Sequence, residues 1–271
     1  MRILFIIVAL VVAVAVCGAG CTGENQPPPE ERAESVLQEA VTGINSELVS
    51  VRASAGESAR VLGEAGLTSA AGREAVRQAM LDHPHTESTL VVTKDGIVAM
   101  AVPENYAGLV NTSLLSQPQT ERVLRGQAPL TSEVFHLEEG FSGITQSYPV
   151  FGPDYLGYVS IAYRPDTLIE RVVAPLTNST PYDVWVMQTD GVVIYDTTPE
   201  EIGKNLFSDP AYQSPELQEA FSRIAAEPSG SLVYSFWDTD WARNVTKEAN
   251  WDTAGIDGAE WRVVVTRSTD A

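Results

Sequence analysis

The sequence predicts an α+β protein: a long amino-terminal helix followed by two similar modules, each an antiparallel sheet of about five strands. Three observations carry this expectation. Leu37, Val41, Ile44, Leu48, Val51, Ala55, Ser58 and Leu62 recur at alternating spacings of four and three, the signature of one apolar helix seam. The stretch Leu90-Val91-Val92-Thr93-Lys94-Asp95-Gly96-Ile97-Val98 returns 95 positions later as Trp185-Val186-Met187-Gln188-Thr189-Asp190-Gly191-Val192-Val193. Each copy also closes alike, Gly143 to Tyr163 in the first and Asn244 to Arg267 in the second, as two β-rich runs around a Gly-containing turn.

Taken in order, the chain opens on an export signal. Met1-Arg2 is a basic start, Ile3 to Val16 is unbroken apolar sequence, and Gly18-Ala19-Gly20 precedes Cys21. Two readings stand. In one, residues 1–20 are a signal peptide and Cys21 receives a lipid, with Gly18 departing from the branched residue usual there. In the other, Ile3 to Gly20 stays as a short membrane anchor. Both place the remainder outside the cytoplasm. Residues 21–29, with Pro27-Pro28-Pro29, read as lipid-attachment site and stiff spacer. The seam predicts a helix over Glu30 to Leu62, about 50 Å long at 1.5 Å per residue. Gly43 and Gly56 weaken it by about 1 kcal/mol each, and Gly63 with Gly66 end it. A second helix spans Ser69 to Leu81 and stops at Asp82-His83-Pro84. Residues 30–82 thus form an amino-terminal helical segment, 83–164 the first module, 165–180 a connecting helix and 181–271 the second module. Asp95-Gly96 and Asp190-Gly191 are turn dipeptides, because both positions tolerate positive φ.

Composition narrows the function. No cysteine follows Cys21, so the outer part holds no internal disulfide and no thiol chemistry. The formal charge of −19, spread without an acidic run, speaks against nucleic acid or anionic lipid headgroups as partners. The sequence ends at Ala271, soon after its last expected strand, and the expectation is a sensor without its own output domain. Asn111-Thr112-Ser113, Asn178-Ser179-Thr180 and Asn244-Val245-Thr246 are glycosylation sequons, relevant only in a host that glycosylates exported proteins.

Local wording points to a family. Gln188-Thr189-Asp190-Gly191-Val192-Val193-Ile194-Tyr195-Asp196 followed by Ile202-Gly203-Lys204-Asn205-Leu206-Phe207 is similar to the opening of the second module of double Cache sensor domains. Ser147-Tyr148-Pro149-Val150-Phe151 with Leu156-Gly157-Tyr158-Val159 resembles the close of a first module, and Trp261-Arg262-Val263-Val264 resembles the final strand. The resemblance covers about Glu30 to Arg267. It implies PAS-like modules, an extracytoplasmic small-molecule ligand, and a pocket between sheet and covering loops, most often in the first module. The family's amino-acid-sensing branch carries Arg-x-Trp, which this chain lacks, so an amino-acid ligand is not expected.

On that basis the ligand-binding candidates in the first module are Asn105, Tyr106, Phe135, His136, Tyr148 and Tyr163, with Tyr106 foremost. Those in the second are Tyr195, Asp196, Tyr212, Trp237 and Trp251. Aromatic walls with a few converging polar groups are what such a pocket requires; ordinary core and surface filling is the competing reading for each. The Trp237–Trp241 stretch with its acids reads either as an indole-faced cation or sugar site or as a plain hairpin tip. Asp82-His83-Pro84-His85 clusters two of the three histidines, but the proline breaks any helical ligand face, and a polar helix end is the preferred reading over a metal site. Gly-x-Gly-x-x-Gly is met only by Gly18 to Gly23, within the export signal and not between a strand and a helix, and no Gly-x-Ser-x-Gly or Gly-Lys-Ser/Thr motif occurs, so neither an enzyme nor a cofactor is expected. The expected partner is a membrane receptor, or a second copy docked through the helix seam. The alternative function is an interaction lipoprotein that has lost its pocket and uses that seam.

Overall fold

A computed structural model describes residues 29–178, 180–238 and 243–269. The signal segment, Cys21 and most of the proline spacer therefore lie outside the described residues, as do Thr239, Asp240 and Trp241. Helix α1 (Pro29–Ala65) runs the length of the fold. Leu37, Val41, Ile44, Leu48, Val51, Ala55, Ser58 and Leu62 are all buried along it. What covers them is this chain's own two sheets, since α1 packs on strands of both. The seam is the spine of an intramolecular core and not a bare face awaiting a second helix.

Gly66 ends α1, at φ +98°, with its N–H bonded to the Leu62 carbonyl. Gly63 was expected to share that role but stays within the helix. A Cβ there would sit 2.1 Å from the Phe151 carbonyl oxygen, so Gly63 is the point where a strand turn touches the helix backbone. At Gly43 the close neighbour is a side chain, that of Val172, 2.5 Å from where a Cβ would sit. Helix α2 (Ala70–Asp82) starts where Ser69 Oγ accepts the Gly72 N–H, 2.9 Å away.

The first sheet comprises β1 (Thr86–Thr93), β2 (Val98–Val102), β3 (Leu130–Thr131), β4 (Phe135–His136), β5 (Ser142–Phe151) and β6 (Tyr155–Tyr163). Its order is β2-β1-β6-β5-β3, with β4 also on β5. Helix α3 (Pro118–Gly126) and a short 3-10 helix, Glu104–Leu109, lie on the side away from α1. Helix α4 (Pro165–Thr177) leads to a second sheet of β7 (Asp183–Gln188), β8 (Val193–Asp196), β9 (Gly230–Asp238), β10 (Arg243–Ala254) and β11 (Trp261–Ser268). Its order, β8-β7-β11-β10-β9, is that of the first sheet. Helix α5 (Pro215–Ala226) packs on β9.

The duplication extends to register. Leu90 pairs with Ala101 in β1–β2, and Trp185 pairs with Asp196 in β7–β8, each residue 95 positions from its counterpart. The bulge between Val91 and Val92 recurs between Val186 and Met187. Gly96 and Gly191 both take positive φ at the turns. An Asp-Gly turn thus fixes the same pairing twice.

Candidate functional site

Alternation along the strands decides which side chains face α1 and which face the covering loops. In the first module this separates the sequence candidates. Tyr148 rests its ring on Gly56 of α1, and Tyr163 is fully buried in the core shared with α1. Both therefore point away from the loops, contrary to expectation, because their strand positions have the parity of Ile144 and Ile161. Their neighbours Ser147, Tyr158 and Ser160 take the loop side instead. Tyr106 does lie there, half-buried against Leu90, Val92 and Val98, with burial and the charges of Glu87 and Glu139 pushing its hydroxyl pKa up. Asn105 and His136 are exposed, and Phe135 packs in a small cluster with Leu137 and Phe141.

Beneath α3 the loop face of the first sheet is buried and polar. Ser147 Oγ donates to Ser160 Oγ at 3.2 Å, and Thr120 Oγ1 lies 3.1 Å from the Tyr158 hydroxyl. Burial raises the Tyr158 hydroxyl to about 12. Gln117 Nε2, Gln119 Oε1 and Thr145 Oγ1 are buried with no hydrogen-bond partner among the described residues.

The second module holds an open cavity of ≈ 470 Å³ in the equivalent place. Its floor comes from β7, β8, β9 and β10 through Asp183, Trp185, Val193, Asp196, Tyr234, Phe236 and Lys247. Glu201, Leu206, Tyr212, Leu217 and Phe221 roof it. The walls are aromatic and interlocked: Phe221 makes edge contacts with Trp185, Tyr212 and Tyr234, at centroid distances of 5.9, 5.8 and 6.3 Å. Trp237, 63% exposed, stands at the rim. Arg262, only 3% exposed, fixes the roof helix by donating to the carbonyls of Ile224 and Ala225 at the end of α5.

Three carboxylates enter this space. Lys247 Nζ is 3.3 Å from Asp183, and Lys204 Nζ is 3.1 Å from Glu201. Asp196 accepts the Thr198 N–H at 2.7 Å and has no ion-pair partner among the described residues. Burial raises its pKa to about 6, the Thr198 bond and the Lys247 charge opposing and the Glu201 and Asp183 charges adding. Burial likewise pushes the Tyr234 hydroxyl up.

Of the second-module candidates, Asp196, Tyr212 and Trp237 line the cavity. Tyr195 does not: it packs with the core around α1 and α4, its hydroxyl donating to Glu170 at 2.5 Å. Trp251 is buried with its indole N–H on the Glu227 carbonyl at 2.9 Å. Sequence reasoning missed Asp183, Trp185, Glu201, Tyr234, Phe236 and Lys247. Alternation on β7 and β9 would have found several of them.

Comparison with known proteins agrees with this architecture. Residues 46–165 match the family model described as HK/GC/Chemotaxis protein-like, sensor domain. An extracellular ligand binding receptor from Desulfohalobium retbaense DSM5692 superposes with a TM-score of 0.74 at 22% identity, covering 88% of this chain. This chain spans 40% of that receptor's length. The ligand binding domain of the amino acid chemoreceptor PctB of Pseudomonas aeruginosa PAO1, in complex with L-Gln, superposes at 0.62 and 12% identity, over 89% of this chain and 91% of its own. The extracellular domain of the putative histidine kinase rpHK1S-Z16 gives 0.68 at 10% identity, over 89% and 94%. No curated protein matches. The fold is the tandem one of Cache-type extracellular ligand-binding domains, as the sequence resemblance implied. Among the described residues no helix is long and apolar enough to cross a membrane.

Proposed function

We propose that the chain is an extracytoplasmic small-molecule-binding sensor, anchored by a lipid on Cys21, that presents its ligand state to a membrane partner. The match to a chemotaxis and histidine-kinase sensor family and the fold shared with chemoreceptor ligand-binding domains support a sensor. The hydrophobic leader ending at Cys21 supports the anchor. The observation that carries the ligand site is the aromatic-walled cavity of the second module, with Asp196, in no ion pair among the described residues, at its edge.

That chemistry favours a small organic cation, an amine or quaternary ammonium. Aromatic faces attract a cation through their quadrupoles, and a carboxylate fixes its position. The two lysines at the cavity already hold Glu201 and Asp183, so an anionic ligand would have to break an ion pair. An α-amino acid, whose carboxylate needs such a cation, fits less well.

One observation favours a second reading, a ligand under α3 in the first module. Gln117 Nε2, Gln119 Oε1 and Thr145 Oγ1 are polar atoms that a bound molecule would satisfy. The interaction-protein alternative rested on a bare seam, and the burial of Leu37, Ile44, Leu48 and Val51 under the chain's own sheets leaves it unsupported.

A thermal-shift screen of the full chain against amines, quaternary ammonium compounds, amino acids, organic acids, purines and sugars separates these. A ligand at 100 times its dissociation constant adds about 2.7 kcal/mol, a shift of several degrees. A cationic hit lost in Asp196→Asn and kept in Gln119→Leu supports the cavity; the reverse pattern moves the site beneath α3. Silence across the panel removes the sensor reading for these ligand classes.

A further inference from the structure

Two of the three histidines in this chain lie together between α1 and the first sheet, and the fold brings a carboxylate to them. His83 caps the end of α2, and His85 immediately precedes β1. Glu47 reaches the same place from α1. One ligand atom from each of Glu47, His83 and His85 lies within 4.8 Å of the others. The sequence reading against a metal assumed that the ligands must share one helix face. In the structure they converge from α1 and from the turn between α2 and β1.

The turn carrying both imidazoles is held rigidly. The His83 carbonyl accepts the Thr86 N–H at 2.9 Å and the Thr86 hydroxyl at 2.7 Å, while the His83 N–H reaches the Met80 carbonyl. Pro84 stiffens the residue between them. His83 Nε2 lies 2.9 Å from Ser54 Oγ on α1 and the ring also bonds the Ser50 backbone, so a metal would replace one of these two partners. The rings of His83 and His85 are 5.7 Å apart, and His85 meets the edge of Tyr163 at 5.5 Å.

The second observation is a deficit. His85 is 4% exposed, and both its ring nitrogens are buried without a hydrogen-bond partner among the described residues. The adjacent Tyr163 hydroxyl is in the same condition. Buried polar groups are nearly always paired, so an imidazole with neither nitrogen partnered marks a place where a partner belongs.

We infer that Glu47, His83 and His85 form a site for a divalent transition-metal ion of the zinc class, tying α1 to the junction of α2 and β1. Two imidazoles and one carboxylate are the donor set of zinc, copper or nickel; calcium and magnesium want oxygen ligands throughout. Donors around a tetrahedral zinc at about 2.0–2.1 Å stand about 3.3 Å apart, so closing the site needs shifts of about 1.5 Å or less. A fourth position is left for water. Burial lowers the pKa of both imidazoles, that of His85 to about 4. Glu47 and Asp82 add negative charge near His83, against Arg171 near His85.

The test is titration of the chelator-treated full chain with zinc alone, followed by calorimetry and melting, with Cys17 and Cys21 blocked by alkylation. The expected result is one ion per chain and a melting temperature raised by several degrees at saturation. Glu47→Gln, on the half-buried face of α1, keeps the fold and lowers affinity at least about a hundredfold, more than disturbing an outer partner usually does. His85→Asn abolishes binding, and His136→Asn, at the third histidine, leaves it unchanged. Cobalt in place of zinc gives the visible absorption of a tetrahedral nitrogen–oxygen site in the native chain and not in Glu47→Gln. Absence of stoichiometric binding, or binding indifferent to Glu47→Gln and His85→Asn, overturns the inference.

Discussion

Trp185 and Asp196 are direct cross-strand partners on β7 and β8, so an indole and a carboxylate leave the sheet side by side and enter one cavity. The equivalent pair in the first module is Leu90 with Ala101, both apolar and both buried. Duplication preserved the backbone pairing and changed what stands on it. A carboxylate beside an aromatic face suits a cation, and its ionisation should control binding.

Asp196 has a folded pKa raised to about 6 from 3.8, chiefly by burial. A raised carboxylate pKa means the folded protein binds the proton more tightly than the unfolded chain. The stability it contributes is fully present below pH 4 and is lost as pH rises towards 6. A cationic ligand has the opposite preference, for the ionised form. Its affinity should fall about tenfold per pH unit well below 6 and level off above it. Calorimetry at several pH values checks this, and Asp196→Asn should give weak, pH-independent binding.

Arg262 lies buried beneath the end of α5, donating to Ile224 and Ala225 carbonyls and, at 2.9 Å, to Thr253 Oγ1. Arg262→Met leaves those acceptors without their donor in a buried place. The expected loss is about 2–4 kcal/mol, read by denaturant melts. Because α5 supplies Leu217 and Phe221 to the cavity roof, ligand affinity should fall with it.

Gly63→Ala places a methyl 2.1 Å from the Phe151 carbonyl oxygen, a backbone atom with little freedom to move. Overpacking of this kind costs about 1–3 kcal/mol, and thermal melts should fall by several degrees. Gly108→Ala, with nothing within 4 Å of its Cβ position, is the control and should melt like the native chain.

Leu48→Ala removes a fully buried side chain from the seam of α1. The loss should be about 2–5 kcal/mol. It should not depend on protein concentration, because the seam is filled from within the chain. A loss that vanished on dilution would mean that the helix packs on a second copy.

Much of the fold was legible because it rests on local chemistry. Gly96 and Gly191 mark the turns by their positive φ, which the aspartates before them do not share, and eight seam residues report a helix by spacing alone. The sites were less legible for geometric reasons. A strand reverses its side chains at every residue, so choosing Tyr148 over Ser147, or Tyr163 over Tyr158, selects the wrong face of the sheet. The cavity roof draws on Leu206, Tyr212 and Phe221, and the histidine cluster on Glu47 of another helix. Only tertiary packing joins such residues.

All five tryptophans belong to the second half of the chain, at positions 185, 237, 241, 251 and 261. Indole resonances therefore report chiefly on the second module. The deciding measurement is the indole N–H spectrum of the full chain titrated with the cationic hit of the thermal screen. The cavity account predicts that the Trp185 signal shifts saturably while that of Trp261, in the core under α1, stays in place. A ligand that saturates by calorimetry and leaves the Trp185 signal unmoved would contradict it.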